Sequence, residues 1–505
     1  MGLSDRWFRR LERGVTVVVP AHNVERYLSA CLDSVIAQTW WSRCRLIVVD
    51  DGSTDRTPSI ADGYARAHPR VTVMHQSNAG PGAGAARNRG FDRVQTTHVL
   101  FLDGDDELTP EAVERLLSAA ERWHVDLAVG ATEQVPHPRR WPWSPYFENS
   151  VRRVVRIEDV PLLVHDARTC NKLYATRWLR QSGLRFAEGI HHQDTVVNVP
   201  AMLRMRRFAL LGQVVHLYRK RAEGGSVMDS HFTRLDNYWD HLQVIEELAS
   251  MIGSLRSSRR ALMQAFIVRS FQGFARRAPG LLPSARLPEF FARARAVIRG
   301  IACEVIEQST TGPDQRAAYV TMLENDYPSF ERLDALAGHL RADRGNLYLA
   351  VPTTSSANQG LLQTGATRAW ADDLQVSDHR LQFRLRLRIR GAVRLETALT
   401  GIVLRLVADS GTVAEVPVTV KSHADDPREH SGIVSIPLGM LADGRYRLRM
   451  GFLTDTGRTD RWVRRPPNAP DELVSGAGVC LRLATTDDRA ELIVQGSSEP
   501  DDDRG

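Results

Sequence analysis

Cysteine is scarce: five residues in 505, at positions Cys31, Cys44, Cys170, Cys303 and Cys480. The number is odd, the spacing is wide, and no C-x-x-C pair occurs. This excludes a disulfide framework and a cysteine-based zinc cluster, and it fits a reducing compartment. Long apolar runs are also missing. Nothing approaches the roughly 18 residues of a spanning helix. No signal-peptide pattern opens the sequence, and Arg6 stands where a myristoylation pattern needs Ser or Thr. The expectation is a cytoplasmic chain. Two nucleotide signatures are absent as well. There is no G-x-x-x-x-G-K-[ST] loop, and the first strand is followed by Pro20-Ala21-His22-Asn23 rather than by a dinucleotide fingerprint. No internal repeat is visible.

What is present is ordinary globular material, 43% hydrophobic and 25% charged. The length allows about two to four domains. The formal charge is +6 with a pI near 9.2. A mild basic excess suits nucleic acid, acidic lipid or phosphate-bearing ligands, or reflects an arginine-rich composition with no partner at all. The opening MGLSDRWFRRLERG sets Trp7, Phe8 and Leu11 among Arg6, Arg9, Arg10 and Arg13. As a helix it could make peripheral contact with an acidic membrane face. Packing on its own domain is the alternative.

The first part alternates strand and helix. Val15 to Val19 reads as a strand closed by Pro20, and Arg26 to Thr39 as a helix. Strands at Arg45–Val49, Val71–His75 and His98–Leu102 alternate with helices at about Asp55–His68 and Gly84–Val94. Near-continuous apolar strands between helices predict a mostly parallel sheet covered on both faces. Ligands of such sheets bind beyond the carboxyl ends of the strands. Every strand here ends in polar turn chemistry, so the four ends predict one site. From about Ser230 the pattern turns helical, with helices expected at Leu235–Ile252, Ser258–Ala278 and Leu287–Glu307. After Asn346 it turns to two-residue alternation, as in Leu381–Ile389, with turn signals between runs. That pattern predicts an antiparallel β-sandwich.

The fourth strand ends in four carboxylates within five residues, Asp103, Asp105, Asp106 and Glu107. Like charges at that spacing repel. Asp103 and Asp105 are two apart, so extended backbone points both the same way. Such a pair can share Mn2+ or Mg2+, which take oxygen ligands. The competing account is an acidic turn at the start of the next helix. Asp50-Asp51 has the same two readings: a turn, or acceptors for a nucleoside N–H or hydroxyl. Gly80-Pro81-Gly82-Ala83-Gly84 lets backbone approach a ligand and opens a helix with Arg87 in its first turn, which suits phosphate.

VTVVVPAHNVERYLSACLDSVIAQT, LIVVDDGSTDRT, NAGPGAGAARNRG and VLFLDGDDELTPEAVERL, in this order, resemble the family 2 glycosyltransferases of the GT-A fold. The resemblance continues through CNKLYATRWLRQSGLRFAEGIHHQDTVVNVPAML and VVHLYRKRAEGGSV, covering about the first 230 residues. It implies an inverting transfer from a nucleotide-diphosphate sugar, commonly a UDP-sugar. By motif, Pro20, Ala21 and Asn23 would line the nucleoside pocket, and Asp50 would contact the base near Asn78, Gly80 and Arg87. Asp103 would hold ribose or metal, and Asp105 would be the direct metal ligand. The family's Glu-Asp pair reads Gln193-Asp194 here, so Asp194 inherits the role of base and Gln193 departs from the pattern. His191 and His192 beside it are either acceptor contacts or loop residues. Lys172 would support the site. Arg219, Arg221 and Ser226 resemble the segment that closes over the diphosphate.

The expected architecture is an α/β GT-A domain with helices on both faces of a Rossmann-like mixed sheet (1–229). A helical linker or acceptor region (230–344), a β-sandwich accessory domain (345–490) and a disordered acidic tail (491–505) follow. The C-terminal part loosely resembles the accessory β-domains of wall teichoic acid glycosyltransferases. The resemblance implies a glycan or wall-polymer acceptor, no nucleic acid, a place in the cytoplasm or at the inner membrane face, and a homo-oligomer through the C-terminal domain. The alternative is a catalytically inactive glycan-binding or assembly protein on the same scaffold.

Overall fold

The structure, a computed structural model, describes residues 11–150, 152–221, 233–310 and 313–333, and between 340 and 496 a set of strands with some of their links. Residues 1–10, Ser226 and the stretch 497–505 lie outside the described residues, and with them the membrane-helix reading and most of the tail. The chain divides into two compact units, Met1–Phe271 and Gln272–Gly505. The helical region read as one block is thus split within its second helix.

In the first unit nine strands form one sheet: β1 (Glu12–Ala21), β2 (Cys44–Asp51), β3 (Val71–Gln76), β4 (Thr96–Phe101), β5 (Glu107–Leu108), β6 (Leu127–Val135), β7 (Arg152–Val155), β8 (Lys172–Ala175) and β9 (Phe208–Arg219). Their order is β3-β2-β1-β4-β8-β6-β9-β5, with β7 also on β9. The first four are mutually parallel. β8 runs antiparallel between β4 and β6, which makes the sheet mixed. The helices of this unit are α1 (Leu28–Ile36), α2 (Thr57–Ala67), α3 (Gly84–Asp92), α4 (Ala112–Trp123), α5 (Thr176–Ser182), α6 (Thr195–Arg204), α7 (Leu235–Met251) and the start of α8 (Ser257–Leu281).

Alternation along β1 sets the layers. Val15, Val17 and Val19 are fully buried and share a core with Leu28 and Leu32 of α1 and Leu116 and Leu117 of α4. Val18 points to the other face, against α3. A Cβ on Gly90 of α3 would stand 2.4 Å from Val18 Cγ1. Only a residue without a side chain lets that helix lie so close to the strand. Helices therefore cover both faces, as in a GT-A domain.

In the second unit the rest of α8 is followed by α9 (Leu287–Ile298), α10 (Cys303–Ser309), α11 (Pro313–Glu324) and α12 (Tyr327–Glu331). The expected single helix over Leu287–Glu307 is two helices. The chain turns at Gly300, and Ile301 folds inward to 5% exposure, so burial wins over continuation. Antiparallel strands follow. Along Arg380–Arg388 the alternating Leu381, Phe383, Leu385 and Leu387 are buried, while Arg384 stays out. This strand pairs antiparallel with Arg368–Ser377 and Glu429–Pro437. A short parallel contact, Ala369 and Trp370 with Val463 and Arg464, joins that group to the strands around Gly444–Thr454. The last strand, Arg489–Gly496, runs into the segment read as tail, because Leu492 and Val494 are buried and the strand pairs with Val479–Thr486.

Candidate active site

The carboxyl ends of β1 to β4 are tied together by side chains. His22 Nδ1 lies 2.8 Å from the Asp51 carbonyl oxygen. Asn23, with φ of +50°, accepts the Thr54 N–H at its Oδ1 at 2.9 Å and donates its own N–H to the Ser53 Oγ at 3.1 Å. Asn23 Nδ2 and Asn78 Nδ2 both reach the His22 ring. Pro20 and Ala21 are buried at the end of β1. Asp50 is 3% exposed, and each of its oxygens takes one hydrogen bond, from the Ser53 N–H at 3.2 Å and from His75 at 3.0 Å. Each carboxylate oxygen still has a second lone pair to offer. Asp51 accepts from Gln76 Nε2 at 2.7 Å and from the Ala79 N–H, which fixes the start of the glycine-rich loop.

The acidic turn after β4 is matched by arginines. Arg87, 2% exposed, donates Nη2 to Asp103, and its face lies 5.3 Å from the Phe186 ring. Its Nε and Nη1 are buried with no hydrogen-bond partner among the described residues. Burial would raise the Asp103 carboxyl, but the charge and hydrogen bond of Arg87 outweigh it and hold it below the usual range. Asp105 behaves in the opposite way. Burial first, then repulsion from Asp106 and Asp103, push it up to about 6 against the pull of Arg221, whose Nε is 2.7 Å from Asp105 Oδ2. Arg219 donates its N–H to Asp106 at 2.8 Å and its Nε to the Asp105 carbonyl at 3.1 Å, and pairs with Glu107. Both arginines lie over the Tyr27 ring.

The composition of the turn did not reveal the partner of Asp106. His216 Nε2 is 2.8 Å from Asp106 Oδ2, and its Nδ1 is 3.2 Å from Thr132 Oγ1. Asp106, His216 and Cys170 bring one ligand atom each to within 4.8 Å of one another. This is not the predicted metal pair, Asp103 and Asp105. It reads better as a buried strut. Burial first, and then Asp103, hold the Cys170 thiol well above its ordinary pKa, and Asp106 and His216 satisfy each other.

The second half of the site comes from residues 187–194. A Cβ on Gly84 would stand 1.8 Å from the Ala187 carbonyl oxygen, and one on Gly82 2.3 Å from that of Ile190. The glycine-rich loop and this segment are thus in backbone contact. Gln193 Oε1 would lie 2.6 Å from the same Gly82 Cβ, so the Gln193 side chain packs against the loop. Asp194 is the N-cap residue of α6, a helix buried from Thr195 to Leu203. Burial first, with Asp103 adding and Arg87 opposing, raises the Asp194 carboxyl above its ordinary value. Burial would lower Arg87, yet Asp103 and Asp194 together hold it above its ordinary range. Arg87 therefore interacts with both acids at once. His191 is fixed to Asp240 of α7 by its backbone N–H at 2.9 Å and its Nδ1 at 2.8 Å. His192, at φ of +60°, meets the His241 ring edge-on at 5.2 Å. Both histidines therefore anchor the segment to α7.

Lys172 is fully buried under the site. Its Nζ has four oxygens in range: Asp166 O at 2.8 Å, Asp166 Oδ2 at 3.3 Å, Arg168 O at 2.6 Å and Asn171 Oδ1 at 2.9 Å. Arg168 also pairs with Asp166 at 2.8 Å and lies 4.0 Å over Trp141. Sequence reasoning singled out Lys172 alone. The signal for the rest was the W-P-W run in a loop rich in Pro and Arg.

Residues 16–183 match the family model described as Glycosyl transferase family 2. The uncharacterized glycosyltransferase EpsJ of Bacillus subtilis is 31% identical over 213 residues, 41% of this chain and 61% of EpsJ. The poly(ribitol-phosphate) beta-glucosyltransferase of Bacillus spizizenii is 26% identical over 267 residues, 51% of this chain and 40% of that protein. This chain thus spans well under the full length of these relatives. The crystal structure of S. aureus TarS is similar in fold, with a TM-score of 0.60 at 16% identity, over 96% of this chain and 86% of that one. The N-terminal part of the chain is thus similar to family 2 glycosyltransferases, and the likeness to TarS shows a GT-A type fold followed by helical and antiparallel β regions.

Proposed function

We propose that this domain is a family 2 glycosyltransferase and moves a sugar from a UDP-sugar to a hydroxyl of a cell-surface polysaccharide or wall polymer, with inversion at the anomeric carbon. The observation that carries the reading is the joint interaction of Arg87 with Asp103 and Asp194 beneath the glycine-rich loop. It sets a phosphate-binding cation beside a candidate base. The relatives point the same way. One is named for transfer to poly(ribitol-phosphate), and TarS has been solved with UDP-GlcNAc. Such a donor sets the reaction on the cytoplasmic side, with the acceptor at the inner membrane face. Among the described residues no helix is long and apolar enough to cross a membrane.

Asp194 takes the proton of the acceptor hydroxyl. Its raised carboxyl makes it a stronger base than an exposed aspartate. The freed oxygen attacks the anomeric carbon opposite the departing diphosphate, so a single displacement inverts the centre. Arg87 offers its unpartnered Nε and Nη1 to the phosphates. Pro20, Ala21, Asn23, Asp50, Asn78 and Gly80 bind the nucleoside. The donor set at the acidic turn suits a hard divalent cation, because its oxygens are crowded and the ionised form of Asp105 is penalised. Asp105, with Asp103, would hold Mn2+ or Mg2+, which supplies charge neutralisation for the leaving group. Arg221 and Arg219, which now balance Asp105 and its neighbours, are placed to turn to the diphosphate.

The test is UDP release from a panel of UDP-sugars with and without Mn2+, repeated on Asp194→Asn. Loss of a general base should lower kcat by roughly 10²–10⁴-fold with the donor KM little changed. Full turnover by that variant would remove Asp194 from the mechanism. No metal-dependent release from any donor would favour the inactive glycan-binding reading, which Gln193 in place of an acid keeps open.

A further inference from the structure

Asp50 has a companion on the neighbouring strand. In the parallel register of β2 and β3 it stands opposite His75. His75 Nδ1 lies 3.0 Å from Asp50 Oδ2, and its Nε2 lies 3.1 Å from Asp62 Oδ1 of α2. One imidazole thus bridges two carboxylates, one from each of two elements packed on its strand. The acids differ in setting: the Asp50 side chain is 5% exposed and that of Asp62 is 44% exposed.

Ionised carboxylates only accept hydrogen bonds. A neutral imidazole has one N–H and can serve one of the two acids; serving both takes the imidazolium. The hydrogen bond to Asp50 first, and then that to Asp62, outweigh burial and hold the ring above the ordinary histidine pKa. Asp51, next along β2, turns instead to Gln76 and the Ala79 N–H. His22, at the end of β1, lies against the Asp51 carbonyl and Asn78, outside the bridge.

The bridge does two things for Asp50. It fixes the carboxylate plane, because the Ser53 N–H holds Oδ1 at 3.2 Å while His75 holds Oδ2. The remaining lone pairs then have set directions. It also balances charge. Among the described residues, His75 is the ion-pair partner of Asp50. A base docking on Asp50 covers the rest of its surface, and burying a carboxylate with no cation beside it is costly.

We infer that His75 is a positioning residue for the donor: as an imidazolium braced by Asp62, it keeps Asp50 oriented and charge-balanced to accept the ring N–H of a uracil base. The inference deepens the reading above and rests on it for the role of Asp50. The proton on His75 and the base on Asp50 then favour each other. The sign follows: His75 supports binding while protonated, and that support is lost as pH rises through its titration.

The experiment pairs an NMR titration of the histidine rings in the full chain with calorimetric titration of UDP between about pH 6.5 and 8.5. The His75 signal, assigned by its loss in His75→Gln, should titrate above a free histidine and higher still with UDP bound. Across the range UDP affinity of the wild type should fall by about fivefold or more. Asp62→Asn removes only the outer brace, and its fall should come at lower pH. His75→Gln, neutral throughout, should bind about fivefold or more weakly at the acid end and show no such fall. The titration of UDP itself is common to all three proteins and cancels in their ratios. A merely structural role would weaken UDP equally at every pH. A wild-type to His75→Gln ratio constant with pH, a ring titrating at or below a free histidine, or an Asp62→Asn profile equal to the wild type would each overturn the inference while leaving the donor reading intact. No UDP binding by any of the three proteins would overturn the donor reading, and this inference with it.

Discussion

Asp105→Asn should stabilise the metal-free protein while abolishing its activity. The carboxyl of Asp105 is raised from 3.8 to about 6 in the fold, with the help of Arg221 already included. A carboxylate raised in this way is penalised when ionised. Two units correspond to about 3 kcal/mol, since one unit is about 1.4. The sign fixes the pH window. Below about pH 4 the group is protonated in both folded and unfolded chains, and the penalty vanishes. It grows between about 4 and 6 and is complete above that. Asparagine mimics the neutral acid, so the variant escapes the penalty. In EDTA at pH 7.5 its unfolding midpoint should rise by roughly 6–12 °C, taking about 2–4 °C per kcal/mol for a domain of this size. At pH 4.5 most of the gain should disappear. Mn2+ should raise the wild-type midpoint and leave that of the variant unchanged. The transition to follow is the one that UDP shifts, because a chain of two compact units need not unfold in one step. An equal shift at both pH values, or a loss of stability at pH 7.5, would refute the reasoning. Either would mean that burial and the neighbouring acids do not penalise the ionised Asp105 carboxylate.

Four other outcomes follow from the geometry. Asp166→Asn leaves Lys172 and Arg168 without their shared carboxylate and should cost about 3–5 kcal/mol by denaturant unfolding. Gly84→Ala drives a Cβ into the Ala187 carbonyl and should lower both stability, by about 1–3 kcal/mol, and kcat. Gly183→Ala, at φ of +68° with nothing within 4 Å, should cost only about 1 kcal/mol and leave kcat alone. His191→Ala frees the 187–194 segment from Asp240 and should reduce kcat more than it raises the donor KM, read from UDP release.

The first sheet was legible because its strands are short β-branched runs ended by Pro, Asp-Gly or Asn-Ala-Gly. Those signals are local, and the parallel order follows from the helices between them. The strands that escaped notice, such as Glu107–Leu108 and Lys172–Ala175, are too short to show a period and are defined by their partners. The acids of the site were visible as residues but not as an arrangement. Nothing in D-G-D-D-E says that Asp106 faces inward to His216 while Asp105 stays with Arg221. The pairing spans more than a hundred residues and is decided by the register of β5 against β9. Gln193 is a similar case. Its departure from the family pair read as a missing acid, whereas its contact with Gly82 appears only when the loop and the segment meet. The two tryptophans of W-P-W drew no attention because an aromatic pair in a loop has no periodicity to betray its partner.

The arrangement of these contacts bears on how such a site can work. Its acidic half is rigid: Asp103 and Asp106 hang on strand ends and are each matched by a buried side chain, Arg87 or His216. Its basic half is built from pieces held by fewer ties. Asp194 is positioned by backbone contact with a glycine-rich loop, which no side chain can be added to without displacing it, and by one aspartate on α7. Arg221 ends the described part of β9's extension and, among the described residues, meets Asp105 and the Tyr27 ring. On the proposed reading, a donor entering between the halves would draw Arg221 from carboxylate to phosphate, while Arg87 would add phosphate contacts through its unpartnered Nε and Nη1. That exchange weakens the hold on an acid just as the diphosphate brings charge of the same sign. That is tolerable only if a cation takes up the acids, which makes metal and donor binding mutually reinforcing. Donor affinity measured by calorimetry should then rise with Mn2+ in the wild type and lose that dependence in Asp105→Asn. Metal-independent donor affinity in the wild type would show that Arg221 stays on its carboxylate throughout.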